Sequence, residues 1–341
     1  MILANLIKNS FRSFLLWCGV LFFCSCNSDV PYTSIDGTVQ GTTYHIVYQS
    51  LQMKNFSGEI NAIFLDIDSS FSLYNPSSLV SRINNNDSSA RLNRHLKTLI
   101  NRSMEMTVFS GSLFDITVGP LVRYYGFGNA PKTEIKQEDI DSILQFIGSE
   151  KIRIAGDRLI KSDPRITIDL NAIAQGYTVD LIAGFLDSHN VRNYLVEIGG
   201  EVRVKGVNPK HEPWRIGIDR PDEGNNSPGT QLQYIVHLNN KALATSGNYR
   251  KFYFQNGMKY SHTINPVTGK PEIHHLLSAT VVSDDCATAD ALATCCMLMG
   301  LEKSRQKLDE INTDAILIYS SGDSSIDAYI TPGLLQLIKK L

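Results

Sequence analysis

Asp290 and Thr294 lie four apart in the mostly apolar stretch Cys286–Gly300, CATADALATCCMLMG. On a helix, residues at that spacing share a face, about 5–6 Å apart. A carboxylate and a hydroxyl on a mostly buried helix cost free energy unless something satisfies them. A hard cation with oxygen ligands would do so, and Mg2+ suits a site with few protein donors. The same spacing allows a second arrangement, with Asp290 capping the helix and Thr294 bonding back to a carbonyl. A second stretch runs Ile168-Asp169-Leu170-Asn171-Ala172-Ile173-Ala174-Gln175-Gly176-Tyr177. Here a predicted strand ends on a carboxylate and a helix starts within a few residues. The turn between them exposes carbonyls and amides where ligands often bind; the alternative is that Asp169 or Asn171 only caps the helix. A third signal is Ala244-Thr245-Ser246-Gly247-Asn248-Tyr249, followed by Ser261 to Pro271. Small hydroxyl and glycine residues let a backbone approach phosphates closely. His262 stands among them as a proton-transfer candidate, or else as a structural histidine.

Absent motifs narrow the chemistry. The sequence has no G-x-x-x-x-G-K-[ST] loop and no G-x-G-x-x-G after a strand. It has no G-x-S-x-G elbow and no H-E-x-x-H pair. His274 and His275 are adjacent, so on a strand they face opposite sides and do not converge on one metal.

The elements that must position these residues follow from periodicity. Thr42 to Tyr48 alternates and is rich in β-formers, which predicts a strand. Ser57 is a candidate cap for a helix whose apolar positions are Ile60, Ile63, Phe64, Ile67 and Phe71. A second amphipathic helix spans 92–110 and stops at Gly111. Further helices are predicted over 138–147, 172–188, 287–299 and 301–310. Strands are predicted at Ile152–Ala155, Arg158–Lys161, Ile166–Leu170, Tyr194–Ile198, Val202–Val204, Trp214–Ile218, Tyr234–Leu238, Lys251–Phe254, Ala315–Tyr319 and Ala328–Ile330. Strands and helices are interspersed without regular βαβ alternation, which points to the α+β class.

The chain has 341 residues, 32 basic and 34 acidic, for a formal net charge of −2. That balance carries no electrostatic footprint for nucleic acid. Lys8 and Arg12 precede a ten-residue apolar run, Phe14 to Phe23. Such a run is too short to span a bilayer but suits a secretory signal. It stops at Cys24-Ser25-Cys26, where a small residue before Cys26 resembles a bacterial lipobox. The expected organisation is a signal peptide over 1–25, a linker over 26–35 after a lipidated Cys26, and one domain over 36–341. The alternative for the N-terminus is an uncleaved anchor helix. Removing residues 1–25 leaves 30 basic residues against 34 acidic, a net of −4. Cys286, Cys295 and Cys296 would remain; they read as buried apolar residues.

Taken in order, the stretches resemble the ApbE family, the FAD:protein FMN transferases, often exported lipoproteins. The series is Gly41-Thr42-Thr43-Tyr44, Phe71 to Tyr74, Phe114 to Val122 with Tyr125 to Gly128, Asp169 to Asp180, Glu197 to Val202, Ala244 to Tyr249, His262 to Gly269, and Ala289 to Thr294. The resemblance covers about residues 36–332. It implies a single large T-fold-like domain with a ligand cleft between two lobes. It implies an Mg2+-dependent enzyme that cleaves the FAD pyrophosphate, attaches FMN to a Ser or Thr of a partner protein, and releases AMP. Family acceptor segments typically look like Asp-x-x-[Ser/Thr]-Gly-Ala-[Ser/Thr], in membrane subunits of sodium- or proton-pumping redox complexes.

By position, the resemblance assigns the metal to the Ala172 carbonyl, Asp290 and Thr294. It assigns FAD contacts to Gln40, Tyr74, Leu113, Phe114, Asp115, Asp169 and Gln175, with His262 near the phosphates and a candidate general base. The sequence departs from the pattern at Gln40, where Met is common, at Gln175, where Lys or Glu is common, and at Asn171-Ala172, where Gly or Ser is common. A backbone carbonyl ligand tolerates such a change. Two rival readings are an FAD pyrophosphatase yielding free FMN and AMP, and a flavin-binding lipoprotein without catalysis. The body is expected outside the cytoplasm, held to a bacterial membrane and facing the periplasm.

Overall fold

Two short turns set the geometry of the sheet that carries the site. Gln40 and Gly41 both have positive φ (52° and 75°), and so do Gly199 and Gly200 (65° and 108°). Two-residue hairpins with positive φ at both positions match the twist of the strands they join. The first joins β1 (Tyr32–Val39) to β2 (Thr42–Gln49), and strand pairing sets Tyr44 of β2 opposite Ile198. Both turns therefore lie at the same end of the sheet, linked by the Gly199 amide donating to the Thr43 carbonyl at 3.0 Å.

The computed structural model describes residues 30–50, 53–127, 134–222, 229–249, 252–255, 258–261, 263–322 and 325–341. After β2 come α1 (Ser57–Phe71), α2 (Leu79–Asn84), α3 (Arg94–Ser110), α4 (Gly119–Tyr124) and α5 (Gln137–Leu144). A small hairpin, β3 (Ile152–Ala155) and β4 (Arg158–Lys161), precedes α6 (Ala174–Ser188). Next are β5 (Tyr194–Ile198), β6 (Glu201–Lys205), β7 (Trp214–Asp219), β8 (Leu232–Leu238), β9 (Ala242–Gly247), β10 (Phe252–Gln255), β11 (Met258–Ser261) and β12 (Leu276–Ser283). The chain ends with α7 (Cys286–Met299), α8 (Leu301–Glu310), β13 (Asp314–Ser320), β14 (Ile326–Ile330) and β15 (Ile338–Lys340).

The main sheet has the order β1-β2-β5-β6-β9-β12-β13-β14 and is antiparallel throughout. With the helices interspersed around it, this is the expected α+β class. Period-two alternation gives the sheet two apolar faces. Ile46, Tyr48, Val196 and Ile198 pack with α1 and α6, while Ala279, Val281 and Leu317 pack with α7. Leu195, Val202, Leu243 and Ile316 point the other way, onto a second sheet of order β15-β8-β7. Residues Tyr32–Leu341 form one unit. Among the described residues, no helix is long and apolar enough to cross a membrane.

Several sequence expectations are corrected. Ile166–Leu170 is not a strand: Asn84 clamps the backbone of Ile168, accepting its amide at 2.7 Å and donating to its carbonyl at 2.9 Å. A side chain thus takes the place of a neighbouring strand. Ser57 does not cap α1; Phe56 holds the cap position without a side-chain bond, and Asn55 accepts from the Ser57 amide. The central strands β9 and β12 lie where no strand was anticipated. The predicted signal segment, the Cys26 lipidation site and His262 lie outside the described residues.

Candidate active site

The α6–α7 contact is unusually close because Gly176 has no side chain. A Cβ there would come within 2.4 Å of the Cys286 carbonyl oxygen and 2.9 Å of Asp290 Cβ. This closeness lets the Gly176 amide donate to Asp290 Oδ2 at 3.0 Å. Gly176 is the third residue of α6, so its amide has no carbonyl to bond within the helix, and Asp290 accepts it instead. The Ala172 carbonyl, in the turn before the helix, has no hydrogen-bond partner among the described residues. It lines the same cleft as Asp290 and Thr294.

Asp290 itself is only 6% exposed. Burial pushes its carboxyl up to about 7, with the nearby Asp180 adding to the rise and the Gly176 amide opposing it. The capping alternative is excluded, because Asp285 caps α7 by accepting from the Thr288 amide at 3.0 Å. Thr294 shares a hydrogen bond of 3.1 Å with Ser246 of β9. A buried carboxylate, a hydroxyl and an orphaned carbonyl are hard oxygen donors of the kind Mg2+ takes. Among the described residues, no group of three or more His, Cys, Asp or Glu is placed to hold a metal. A metal here would therefore lean on the neutral oxygens, and these residues fit one.

The remaining predicted contacts surround one cleft of 1420 Å³ lined by Gln40, Tyr74, Leu113, Phe114, Asp115, Asp169 and Gln175. They enter it differently. Tyr74 is 65% exposed, a flat ring free to stack. Phe114 is 2% exposed and belongs to the core, its amide held by Ser110. Asp115 builds its own loop: Oδ1 accepts from the Thr117 amide and hydroxyl, and Oδ2 from the Ser149 amide. Asp169 Oδ1 accepts from the Asn171 amide at 2.9 Å. Burial raises the Asp169 carboxyl above its ordinary range, opposed by that amide and by Arg123. Gln40 donates from Nε2 to Thr178 Oγ1, tying the hairpin turn to α6. Gln175 reaches across to the second turn, where a Cβ on Gly199 would lie 2.3 Å from its Nε2.

Two supports were not read from the sequence. Asp180, one turn after Gly176, accepts the Cys286 and Ala287 amides at 2.9 Å each and pairs with Arg203 at 2.6 Å. It fixes the start of α7 against α6; its four-residue spacing from Gly176 was the available signal. Ser246 was noted only as part of a small-residue run, and nothing local tied it to a residue 48 positions away.

The profile of the ApbE family matches residues 40–317. This chain belongs to the ApbE family. A curated member from Vibrio cholerae serotype O1, named FAD:protein FMN transferase, is 32% identical over 329 residues, 94% of this chain and 97% of that one. A protein of the same name from Haemophilus influenzae is 31% identical, covering 87% and 89%. The structure of the flavin transferase ApbE from Vibrio cholerae superposes with a TM-score of 0.81, at 32% identity over 90% of this chain and 99% of that one. The apo flavinyl transferase ApbE of Pseudomonas stutzeri gives 0.78 at 30% identity, over 90% and 96%. The cleft of this ApbE-family chain thus contains the oxygen donors of Ala172, Asp290 and Thr294.

Proposed function

We propose that this ApbE-family chain is a transferase that moves FMN from FAD to a hydroxyl of a partner protein, with Mg2+ held by Asp290, Thr294 and the Ala172 carbonyl. The observation that carries the metal half is the partnerless Ala172 carbonyl lining the same cleft as the buried carboxylate of Asp290. The names of the relatives support the transfer half. In the reaction, a Ser or Thr oxygen of the acceptor bonds to the FMN phosphorus. The phosphoanhydride bond breaks, its bridging oxygen leaves with AMP, and the hydroxyl proton passes to a base. His262 is proposed as that base; Thr263 and Ile264, which follow it, line the cleft. Bound Mg2+ would supply charge neutralisation at the pyrophosphate. The chain's own residues do the rest. Tyr74 offers a stacking face at the mouth, the Gly199-Gly200 turn admits Gln175 close to the backbone, and Ser246 orients the Thr294 hydroxyl.

Export and lipidation at Cys26 belong to the same proposal, supported by the apolar run ending at Ser25-Cys26. The functional test is co-expression with the exported proteome of a host, followed by mass spectrometry. The expected result is FMN on one Ser or Thr, lost when Asp290→Ala replaces the wild type. Free FMN and AMP with no modified protein would instead make the chain a pyrophosphatase. FAD left intact with added Mg2+ would make it a flavin binder.

A further inference from the structure

The acceptor protein must bring its hydroxyl into a cleft already shared with a dinucleotide. At 1420 Å³ this cleft exceeds the roughly 300–1,000 Å³ usual for small-molecule pockets. Part of its wall is the strand β7, the last strand of the β15-β8-β7 sheet, with no strand on its other side among the described residues. The direction of its backbone groups follows from the ladder. The His237 amide of β8 donates to Leu337, and the Leu341 amide donates to Gln233 of β8. Odd-numbered β8 residues thus bond towards β15, so the even-numbered Tyr234, Val236 and Leu238 bond towards β7. Their partners are Ile218, Ile216 and Trp214. Arg215 and Gly217, between them, must point their amides and carbonyls away from the sheet. Both residues are exposed and both line the cleft.

The open edge connects with the metal-binding end. Ile216 and Ile218 pack in one cluster with Leu243 of β9. Three residues further along β9, Ser246 meets Thr294. Gly217 leaves the middle of the edge without a side chain.

We propose that the acceptor segment carrying the target Ser or Thr binds as an extended strand added to β7, its backbone paired with Arg215 and Gly217. This rests on the transferase reading above. A free strand edge holds an extended chain through main-chain bonds, so affinity depends little on acceptor sequence. Alternate side chains of the added strand then face the cleft, which presents one hydroxyl inward. The modified residue should therefore lie in an acceptor segment that is free to extend.

The test uses the acceptor site found by mass spectrometry, as a synthetic peptide of about twelve residues, roughly two strand lengths. Proline at an edge position whose amide faces outward removes that donor and leaves the ladder to β8 intact. Arg215→Pro should raise the peptide KM three- to tenfold more than Arg215→Ala does, the worth of about one backbone hydrogen bond, with kcat at saturating peptide retained. Methylating peptide backbone nitrogens one at a time should raise KM at every second position, independently of whether Arg215→Pro folds. Equal KM for the proline and alanine variants, with methylation effects lacking a period of two, would overturn the docking mode while leaving transfer intact. A dimer that Arg215→Pro dissociates would also overturn it, by assigning the edge to a second copy. Wild-type protein that modifies the whole acceptor but never the peptide would overturn the docking of an extended segment alone, whereas the absence of any modified acceptor in the mass spectra would remove the transferase reading and the docking together.

Discussion

Asp290 carries the sharpest conflict in the molecule, a carboxylate whose burial favours its neutral form beside donors that suit a cation. Its folded pKa, pushed up to about 7, lies above the ordinary carboxylate value of 3.8. The folded state therefore holds a proton that the unfolded state has released between those limits, so stability falls as pH rises from about 4 to about 7. Asp290→Asn removes this cost. In EDTA, the variant should melt above the wild type, by a margin that widens over that window and levels off beyond pH 7. Added Mg2+ should raise the wild-type Tm at pH 8 and leave the variant unmoved. An Mg2+ response in the variant would remove Asp290 as a ligand. The Asp290–Thr294 pair was legible because both residues sit on one helix at one spacing. The partnerless Ala172 carbonyl was not, because it depends on where the turn ends and α6 begins.

At the scale of elements, the site is a property of how closely α6 meets α7. Gly176→Ala would place a methyl group against the Cys286 carbonyl, a backbone atom that cannot swing aside. The helices would have to separate, at about 1–3 kcal/mol for such overpacking. The expected outcome is a lower Tm together with weaker Mg2+ binding by calorimetry, the second effect exceeding that of a distant mutation of equal thermal cost. The helices were readable because their apolar periodicity is strong. The strands β9 and β12 were not: ALATSG is small and weakly β-forming, and LLSATVVS lacks alternation because its middle is buried on both faces. Extended Ile166–Leu170 misled in the opposite sense, since a strand-like sequence is completed here by Asn84.

At the scale of the molecule, the lipid proposal predicts where the protein is found. Cys26→Ala should shift it from the membrane fraction to the soluble one after cell fractionation, because a lipidated cysteine is the only anchor proposed for it. A variant that still sediments with membranes would speak for an uncleaved N-terminal helix. The same proposal gives new weight to Cys286, Cys295 and Cys296, all free, fully buried on α7, and with thiols raised by burial. An exported chain meets oxidants while still unfolded, when these sulfurs are open to mispairing. The native state offers them no partner and almost no thiolate. On that proposal, maturation is a race between helix burial and oxidation, and a chain that loses it is locked out of the fold by its own sulfur chemistry.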